Sequence, residues 1–486
     1  MIVIPMKDWK KMMQQNRKKT LVCWLFLILS LGIVLAQVVM LFNRPYKADD
    51  WEHLASAWFV FNGYLPYRDF FQHHNPLLWY LFAPIFSVLS NPLDIFYVGR
   101  VVAALFFLGG WGFIWGIIKR LGGGFSTFCI TLFVYLSYPI AHLGYFQNRP
   151  DTYMIFCLLG GFYFWIRFYQ ERKNRDLILC YLLFFLSFAF LQKAVWLLAP
   201  FGLYQIYLLI KKEIRWTVFV KAIAIPFLIV LGYGIYLYQT DSFTRYWELN
   251  WVLNLNGFRA YKTYPVTLYD YLYGGSAILI LIFNSLKGRG LVRDLSVILL
   301  LFAGIFLLMP KPYHYYWFIW TPFMSIPLGF FLDRIKYDIL KVEILLPCLL
   351  YAITTFLHRD YQLSEAWYEV RDFKRRIHPT DTIISYSVPE YALLTPTLSH
   401  YYWNLSRDAI LDSRLFHPHK IPDWPKQTAK DLPKFVCPYT IYDLTGVKDG
   451  TRDTILMEPD KDFLDEYYQP LKYTRIGVWQ RKDTLD

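Results

Sequence analysis

The residues best suited to chemistry lie close together near the start of the chain, at positions 43–76. This stretch holds Asp49, Asp50, Glu52, His53, Asp69, His73 and His74, and long apolar runs precede and follow it. An ionised group in hydrocarbon costs about 2.5–3.5 kcal/mol or more. The cluster must therefore lie at a membrane surface or in a wet cavity, and we interpret it as the active-site loop of a membrane enzyme.

Asp49 and Asp50 are the first candidate catalytic residues. Two adjacent acids can supply one general base and one hydrogen-bonding partner that orients it. The alternative is a solvated loop in which Asp50 caps the following helix.

His73 and His74 form the second group, in the sequence His-His-Asn-Pro. Pro76 fits the first turn of a helix, and the N–H groups of a helix start favour an anion. We therefore expect His74 to bind a phosphate and His73 to contact substrate. A surface turn is the alternative. Metal binding by this loop is a third possibility, although its Asp, Glu and His spacing matches no metal motif.

Four further cations or polar groups are expected on the same side of the membrane. Arg149 and Asp151 precede a helix, where they can bind phosphate and hold a sugar; the alternative is an Arg–Asp pair that staples the loop. Lys193 follows an apolar run and is a candidate phosphate ligand, unless it only reaches toward lipid headgroups. Arg100 has less freedom and is expected to face the bundle as another phosphate ligand.

The sequence Lys-Pro-Tyr-His-Tyr-Tyr-Trp supplies two more candidate substrate-binding residues, His314 and Tyr315. The long aromatic and basic segment 241–270 could cover the cavity as a lid.

The composition indicates the class of protein in which these residues lie. Of 486 residues, 56% are hydrophobic and only 18% are charged, which excludes an ordinary soluble protein of this size. The net charge is +13, and the Lys and Arg residues occur in short clusters between apolar runs, which is typical of cytoplasmic loops. We therefore predict contact with membrane lipid and no nucleic-acid partner.

We predict an all-α polytopic membrane bundle of about eleven transmembrane helices. The expected crossings are 21–42, 95–118, 125–142, 152–169, 177–190, 195–210, 217–238, 271–286, 294–309, 315–332 and 342–357. A basic N-terminal segment places that end in the cytoplasm. The apolar run 77–90 spans only about 21 Å as a helix, against a core of about 30 Å. We expect it to lie in the interface with a partner helix at 51–62; if it crosses instead, the sidedness of later loops inverts.

Long apolar runs stop after residue 358. We predict a transmembrane domain at 1–358 and a small extracytoplasmic soluble α/β domain at 359–486. Strands are expected at 382–387, 435–444 and 473–481, with a helix at 362–377. The predicted location is the inner (plasma) membrane, with the C-terminal domain outside the cytoplasm.

Over about residues 20–330 the chain resembles the GT-C superfamily of polyprenyl-phosphate-sugar-dependent glycosyltransferases. The nearer branch contains the protein O-mannosyltransferases and the lipid A aminoarabinose transferases. The corresponding motifs are Asp49-Asp50 for an Asp-Glu pair, Gly63 with Pro66-Tyr67-Arg68-Asp69, His73-His74-Asn75-Pro76 for His-Lys-Pro-Pro, Arg149-Pro150-Asp151, Lys193, and a late segment at Pro312 to Tyr316. Two residues depart from the pattern: Asp50 replaces a Glu, and His74 stands where a Lys would contact the lipid phosphate. Histidine is only partly protonated near neutral pH.

The resemblance implies an integral membrane glycosyltransferase that needs no cofactor, with a metal requirement left open. It would move a sugar from a polyprenyl-phosphate donor, undecaprenyl phosphate in a bacterium, to a glycan, lipid or protein acceptor outside the cytoplasm. The implied reaction is an inverting single displacement in which Asp49 acts on the acceptor hydroxyl while His74, Arg149 and Lys193 hold the phosphate. Two alternatives stay open: a transporter or flippase for lipid-linked glycans, and a glycan polymerase or ligase. A transporter would favour charges in mid-membrane and inverted repeats.

Overall fold

The computed structural model describes most of the chain up to residue 335 and short segments beyond it. The described residues are 6–43, 48–138, 146–257, 268–307, 317–335, 372–378, 381–385, 434–437, 465–471 and 479–484, with single residues between 346 and 353. Its helices are α1 (Met6–Asn43), α2 (Ala48–Phe61), α3 (Leu77–Phe82), α4 (Pro92–Arg120), α5 (Phe125–Ser137), α6 (Pro150–Glu171), α7 (Asn174–Phe190), α8 (Val195–Ile210), α9 (Trp216–Gln239), α10 (Phe243–Trp247), α11 (Asn254–Gly257), α12 (Leu268–Lys287), α13 (Gly290–Leu307) and α14 (Trp317–Arg334).

The helix pattern confirms the predicted all-α polytopic bundle. Ten of the eleven predicted crossings each coincide with one helix in the described part of the chain, and the eleventh, at 342–357, lies largely outside it. Four described segments are long and apolar enough to cross a membrane by length and composition: Pro92–Arg120, Gln192–Ile210, Trp216–Gln239 and Gly290–Leu307. The 29 residues of α4 extend about 44 Å, more than the hydrocarbon thickness of about 30 Å.

The first predicted outer loop contains two short helical segments, as expected. Helix α3 has six residues and continues into a 3₁₀ turn, Ala83–Ser87, so the run at 77–90 is too short to cross as a straight helix. Helix α2 packs against α3 and the connecting loop through a small core of Ala55, Phe59 and Phe70. Its apolar residues recur at helical spacing, which is why one face is buried.

Helices α6 and α7 form a tightly packed antiparallel pair. At Gly161 a Cβ atom would collide with the ring of Phe184, so only glycine lets the two helices approach this closely. Nearer the start of α6, the rings of Tyr153 and Phe190 stack with centroids 5.3 Å apart. The start of α6 and the end of α7 are therefore neighbours, and the functional consequence is described below.

The C-terminal region contains a four-stranded sheet built from β1 (Ile383–Ser385), β2 (Phe435–Cys437), β3 (Tyr468–Pro470) and β4 (Trp479–Arg481). The strand order is β1-β2-β4-β3, with β1 parallel to β2 and the other pairs antiparallel. Three strands fall within the predicted segments. Strand β3 was not predicted because its sequence, Tyr-Gln-Pro, has no run of β-branched or aromatic residues and ends in proline. Of the helix predicted at 362–377, residues 372–374 are helical and 362–371 lie outside the described residues.

The chain divides into two compact units. One comprises Met1–Phe42, Val102–Val230 and Tyr261–Arg359, and the other Asn43–Val101, Leu231–Ala260 and Asp360–Asp486. The second unit groups residues 43–101 with the chain after residue 360, and the domain boundary predicted at 358 stays a prediction.

Candidate active site

Asp50 and Arg100 form a buried ion pair within the second unit. The Nη2 atom of Arg100 donates to Oδ2 of Asp50 over 2.9 Å, and the two side chains are 1% and 0% exposed. Helix α2 begins at Ala48, two residues before Asp50, so Asp50 lies inside the helix rather than at its cap. Arg100 was predicted to bind phosphate; in the structure one of its partners is this carboxylate.

Aromatic packing fixes the position of this pair. Trp51 stacks on Phe96 of α4 with ring centroids 4.5 Å apart, and the guanidinium of Arg100 lies 4.3 Å from the centroid of the same Phe96 ring. A cation over an aromatic face is attracted by the ring's quadrupole. The contact between α2 and the first turns of α4 thus holds both the acid and its counter-ion.

Three of the predicted site residues lie wholly or partly outside the described residues. Asp49 belongs to α2, but its side chain is not described; His314 and Tyr315 fall outside entirely. Their predicted roles stay predictions.

Gln72 connects α2 to the histidine segment. Its Nε2 donates to Oε1 of Glu52 over 3.0 Å and to Oγ of Ser56 over 2.8 Å, while its Oε1 accepts the N–H of His73 over 3.2 Å. The side chains of Gln72, Glu52 and Ser56 are all buried. One buried amide therefore ties the backbone of His73 to successive turns of α2.

Three imidazole rings lie together beside this link. The centroids of His73 and His74 are 4.0 Å apart, and those of His53 and His74 are 5.4 Å apart. The indole Nε1 of Trp79 donates to Nδ1 of His53 over 3.2 Å. An indole N–H can only donate, so Nδ1 of His53 is the acceptor in this contact.

The loop between α2 and α3 turns sharply at two positive-φ residues, Gly63 (φ 85°) and Tyr67 (φ 69°). Asp69 closes the loop: it accepts the N–H of Leu65 over 2.7 Å and two hydrogen bonds from Arg68 over 2.7 and 2.9 Å. Partial burial alone would raise the pKa of Asp69, but the hydrogen bonds from Arg68 and Leu65 and the Arg68 charge lower it overall. The Pro-Tyr-Arg-Asp motif thus builds the turn that leads to the histidines.

Three hydrogen bonds hold the backbone and side chains of residues 73–75. The Tyr67 hydroxyl donates to the carbonyl of His74 over 2.6 Å, and Nδ2 of Asn254 donates to the carbonyl of His73 over 2.9 Å. The Tyr246 hydroxyl donates to Oδ1 of Asn75 over 3.1 Å. Burial, followed by interactions with Tyr233 and Tyr246, raises the pKa of Tyr67 well above its ordinary value, so this phenol keeps its proton and remains a donor.

The first unit contains a second charged group at the start of α6. Arg149 is the residue before α6, and Pro150 occupies the first helical position, where proline is common. Nε of Arg149 lies 3.3 Å from Oδ2 of Asp151, and Nζ of Lys193 lies 3.6 Å from Oδ1 of the same carboxylate. Lys193 lies in the 3₁₀ turn Gln192–Ala194 after α7, so the packing of α6 on α7 brings these residues together.

Sequence reasoning grouped Arg149, Asp151 and Lys193 by sidedness, and the structure joins them through one carboxylate. Sequence reasoning did not identify four further residues of this region, because their hydrogen bonds join positions 16 to 181 residues apart: Gln72, Trp79, Asn254 and Tyr246. Tyr67 could have been identified from sequence, since it lies within the Pro-Tyr-Arg-Asp motif at 66–69. Among the described residues, no three His, Cys, Asp or Glu side chains form a group that could hold a metal ion.

Comparisons with known proteins agree with this architecture. Residues 73–239, about a third of the chain, match the family described as dolichyl-phosphate-mannose-protein mannosyltransferase. In sequence, no curated protein matches the chain.

The fold is similar to that of ArnT from Cupriavidus metallidurans. The structure of ArnT bound to undecaprenyl phosphate aligns at 11% identity with a TM-score of 0.60, covering 94% of this chain and 97% of ArnT. The apo structure of ArnT aligns at 11% identity with a TM-score of 0.51, covering 85% of this chain and 92% of ArnT. The family match and the shared fold together confirm the prediction made from the motifs: this chain is a polytopic membrane glycosyltransferase with the GT-C fold.

Proposed function

We propose that this glycosyltransferase takes a sugar from undecaprenyl phosphate, or a closely related polyprenyl phosphate, and transfers it to a hydroxyl acceptor outside the cytoplasm. The observation that carries the proposal is the fold shared with a protein whose structure holds undecaprenyl phosphate. The buried basic residues at the motif positions are consistent with an anionic donor.

The proposed phosphate ligands are His74, Arg149 and Lys193. Arg149 and Lys193 share one carboxylate, Asp151, so together they carry one net positive charge before a phosphate arrives. Preorganised cations stabilise a phosphate leaving group because its charge grows as the glycosidic bond breaks. His74 adds to this charge when its ring is protonated.

The proposed reaction is a single displacement. The acceptor oxygen attacks the anomeric carbon while the bond from that carbon to the phosphate oxygen breaks, and the phosphate leaves with the electron pair. The hydroxyl proton passes to Asp49 or to solvent. The sugar is inverted at the anomeric carbon because attack and departure occur on opposite faces.

We assign different roles to the two acids. Asp49 acts on the acceptor hydroxyl. Asp50 accepts a hydrogen bond from Arg100 and orients the start of α2. In this assignment Arg100 is a positioning residue, and it replaces the phosphate role predicted for it from sequence.

Substrate contacts are proposed for Asp151, His73, His314 and Tyr315. The acceptor is a glycan, a lipid or a protein. We also propose that the protein lies in the inner (plasma) membrane, with its N-terminus in the cytoplasm and residues 359–486 forming an extracytoplasmic domain.

A turnover assay tests the function. Purified protein is given undecaprenyl phosphate carrying a radiolabelled sugar, and the release of free undecaprenyl phosphate is measured with and without acceptor extracts. Release that depends on Asp49 supports the transferase. A flippase would move the intact lipid and release nothing, whereas a polymerase or ligase would transfer only preassembled glycans.

A labelling experiment tests the orientation. Single cysteines placed next to Asp69 and at position 420 are expected to react with an impermeant thiol reagent in intact cells. Labelling of only one of the two positions would contradict the proposed sidedness.

A further inference from the structure

Asn250 is a buried amide that the predicted mechanism does not use. Its side chain lies in the second unit and is 1% exposed; the Tyr67 hydroxyl is a hydrogen-bonding neighbour of this amide, and the amide Oδ1 accepts no hydrogen bond within the described part of the chain. Buried amides are almost always hydrogen-bonded, because leaving one unsatisfied is destabilising. The Asn250 oxygen, which has no donor among the described residues, is available to accept a hydrogen bond from a ligand.

The backbone around Asn250 also departs from the regular helix. Residues Glu248–Leu253 form a π-helical turn between α10 and α11. Such turns are rare and occur frequently at functional sites, because the wider turn redirects side chains that an α-helix would place elsewhere. This observation is independent of the missing hydrogen bonds.

Asn250 lies next to the histidine segment. Nδ2 of Asn254 donates to the carbonyl of His73 over 2.9 Å and to the carbonyl of Asn250 over 3.0 Å, so these two carbonyl oxygens are no more than about 6 Å apart. Burial raises the pKa of Tyr67, and a side-chain hydrogen bond from Asn250 opposes this effect, so the amide nitrogen of Asn250 lies beside that phenol while Oδ1 is left without a donor from the described residues. The backbone oxygens of His73 and His74 are already bonded to Asn254 and Tyr67, respectively.

The chemistry of the group narrows the ligand class. A carboxamide offers two N–H donors and one acceptor oxygen without charge, which matches a sugar hydroxyl, itself both donor and acceptor. A phosphate would prefer the cationic residues assigned above. In a polyprenyl-phosphate donor the hydroxyl-bearing sugar is bonded directly to the phosphate, beside any residue that contacts that phosphate.

We propose that Asn250 binds a hydroxyl group of the donor sugar and contributes to the choice of that sugar. The proposal rests on the proposed function, because it takes His74 as a phosphate ligand. It assigns to the π-helical turn a specificity role that no sequence motif of this chain indicated.

Lipid binding separates the sugar contact from the phosphate contact. The affinity of purified full-length protein in detergent is measured for undecaprenyl phosphate and for a panel of undecaprenyl-phosphate hexoses and pentoses. The sugar that binds the parent protein most tightly is then used for the variants. Asn250→Ala is expected to weaken binding of this glycolipid about 3- to 10-fold and to change binding of undecaprenyl phosphate less than twofold.

Asn250→Ser, which keeps a hydrogen-bonding group, is expected to lose less affinity and guards against a folding defect in the alanine variant. Asn62→Ala, at an exposed amide that follows α2, is the matched control and should bind both lipids like the parent. Equal weakening for both lipids would make Asn250 a purely structural residue, and unchanged binding of both would mean that its amide holds only water. Either result overturns the inference. If the parent protein bound none of the lipids, the proposed function itself would fail.

Discussion

Arg100 donates a hydrogen bond to Asp50 over 2.9 Å, and both side chains are almost fully excluded from solvent. The two residues are fifty positions apart and belong to α4 and α2. A buried ion pair of this kind is weak evidence for net stability, but removing one partner leaves an uncompensated charge. The pair therefore ties the orientation of the start of α2 to the integrity of one contact.

Removing either partner alone should destabilise the fold. Arg100→Met or Asp50→Leu is expected to lower the free energy of unfolding by about 3–5 kcal/mol, because a buried charge loses its counter-ion. The double variant should recover most of this loss, since no charge is then buried. Thermal and denaturant unfolding in detergent measure the effect. Additive losses in the double variant would contradict a direct pair.

Asp49→Asn should lower turnover without lowering stability. If Asp49 accepts the acceptor proton in the transition state, turnover should fall about 10²- to 10⁴-fold while donor affinity stays close to that of the parent. Single-turnover kinetics and lipid binding separate the two quantities. Asp241→Asn is a suitable control because that acid is exposed and lies outside the proposed site. If Asp49→Asn and Asp50→Asn lowered turnover equally and only mildly, neither acid would be a catalytic base.

Lys193→Ala should weaken donor binding through the phosphate. A hydrogen bond to a charged group contributes about 1.5–3 kcal/mol, so affinity for undecaprenyl phosphate should fall about tenfold or more. Lys193→Arg should retain most of the affinity, because the charge opposite Asp151 is kept. Lys211→Ala, an exposed lysine just after α8, is the control. If Lys193→Ala bound undecaprenyl phosphate as tightly as the parent, Lys193 would only pair with Asp151 and would not contact the phosphate.

Exchange of His74 tests its assignment to the phosphate. An imidazole attracts phosphate only when protonated, and the ordinary histidine pKa is about 6.5, so activity of the parent should fall as pH rises through the pKa of the bound ring. His74→Lys should keep activity and flatten this alkaline fall, whereas His74→Ala should lose activity. The pH dependence of kcat/KM is the measurement, with the exposed His378→Ala as control. An active alanine variant would leave the phosphate to Arg149 and Lys193.

Asp69 should make the loop between α2 and α3 sensitive to acid. Its pKa is lowered in the folded protein, so its contribution to stability is present above the ordinary carboxyl pKa of about 3.9 and is lost as pH falls through the lower, folded value. Asp69→Asn removes the contribution at every pH. The melting temperatures of parent and variant should therefore differ at pH 6 and converge below about pH 4. A constant difference across this range would mean that the carboxylate charge does not matter.

Several properties of this protein follow from sequence alone. Hydropathy and helical periodicity are local, so the bundle of membrane helices, the short helical run at 77–90 and the long helix α4 could all be predicted. The pairing of Arg149 with Asp151 also follows from their proximity in sequence, and its alternative role as a staple was foreseen. Motif order was enough to indicate a GT-C glycosyltransferase.

The tertiary structure decided which distant residues meet. Lys193 joins Asp151 only because glycine at 161 lets α7 pack closely on α6, and Gln72 reaches Glu52 only because the loop turns at Gly63 and Tyr67. Arg100 contacts Asp50, although sequence alone favoured phosphate. The burial of Asn250 has no local signal either. These pairings depend on how helices pack across long sequence separations, and neither periodicity nor hydropathy contains that information.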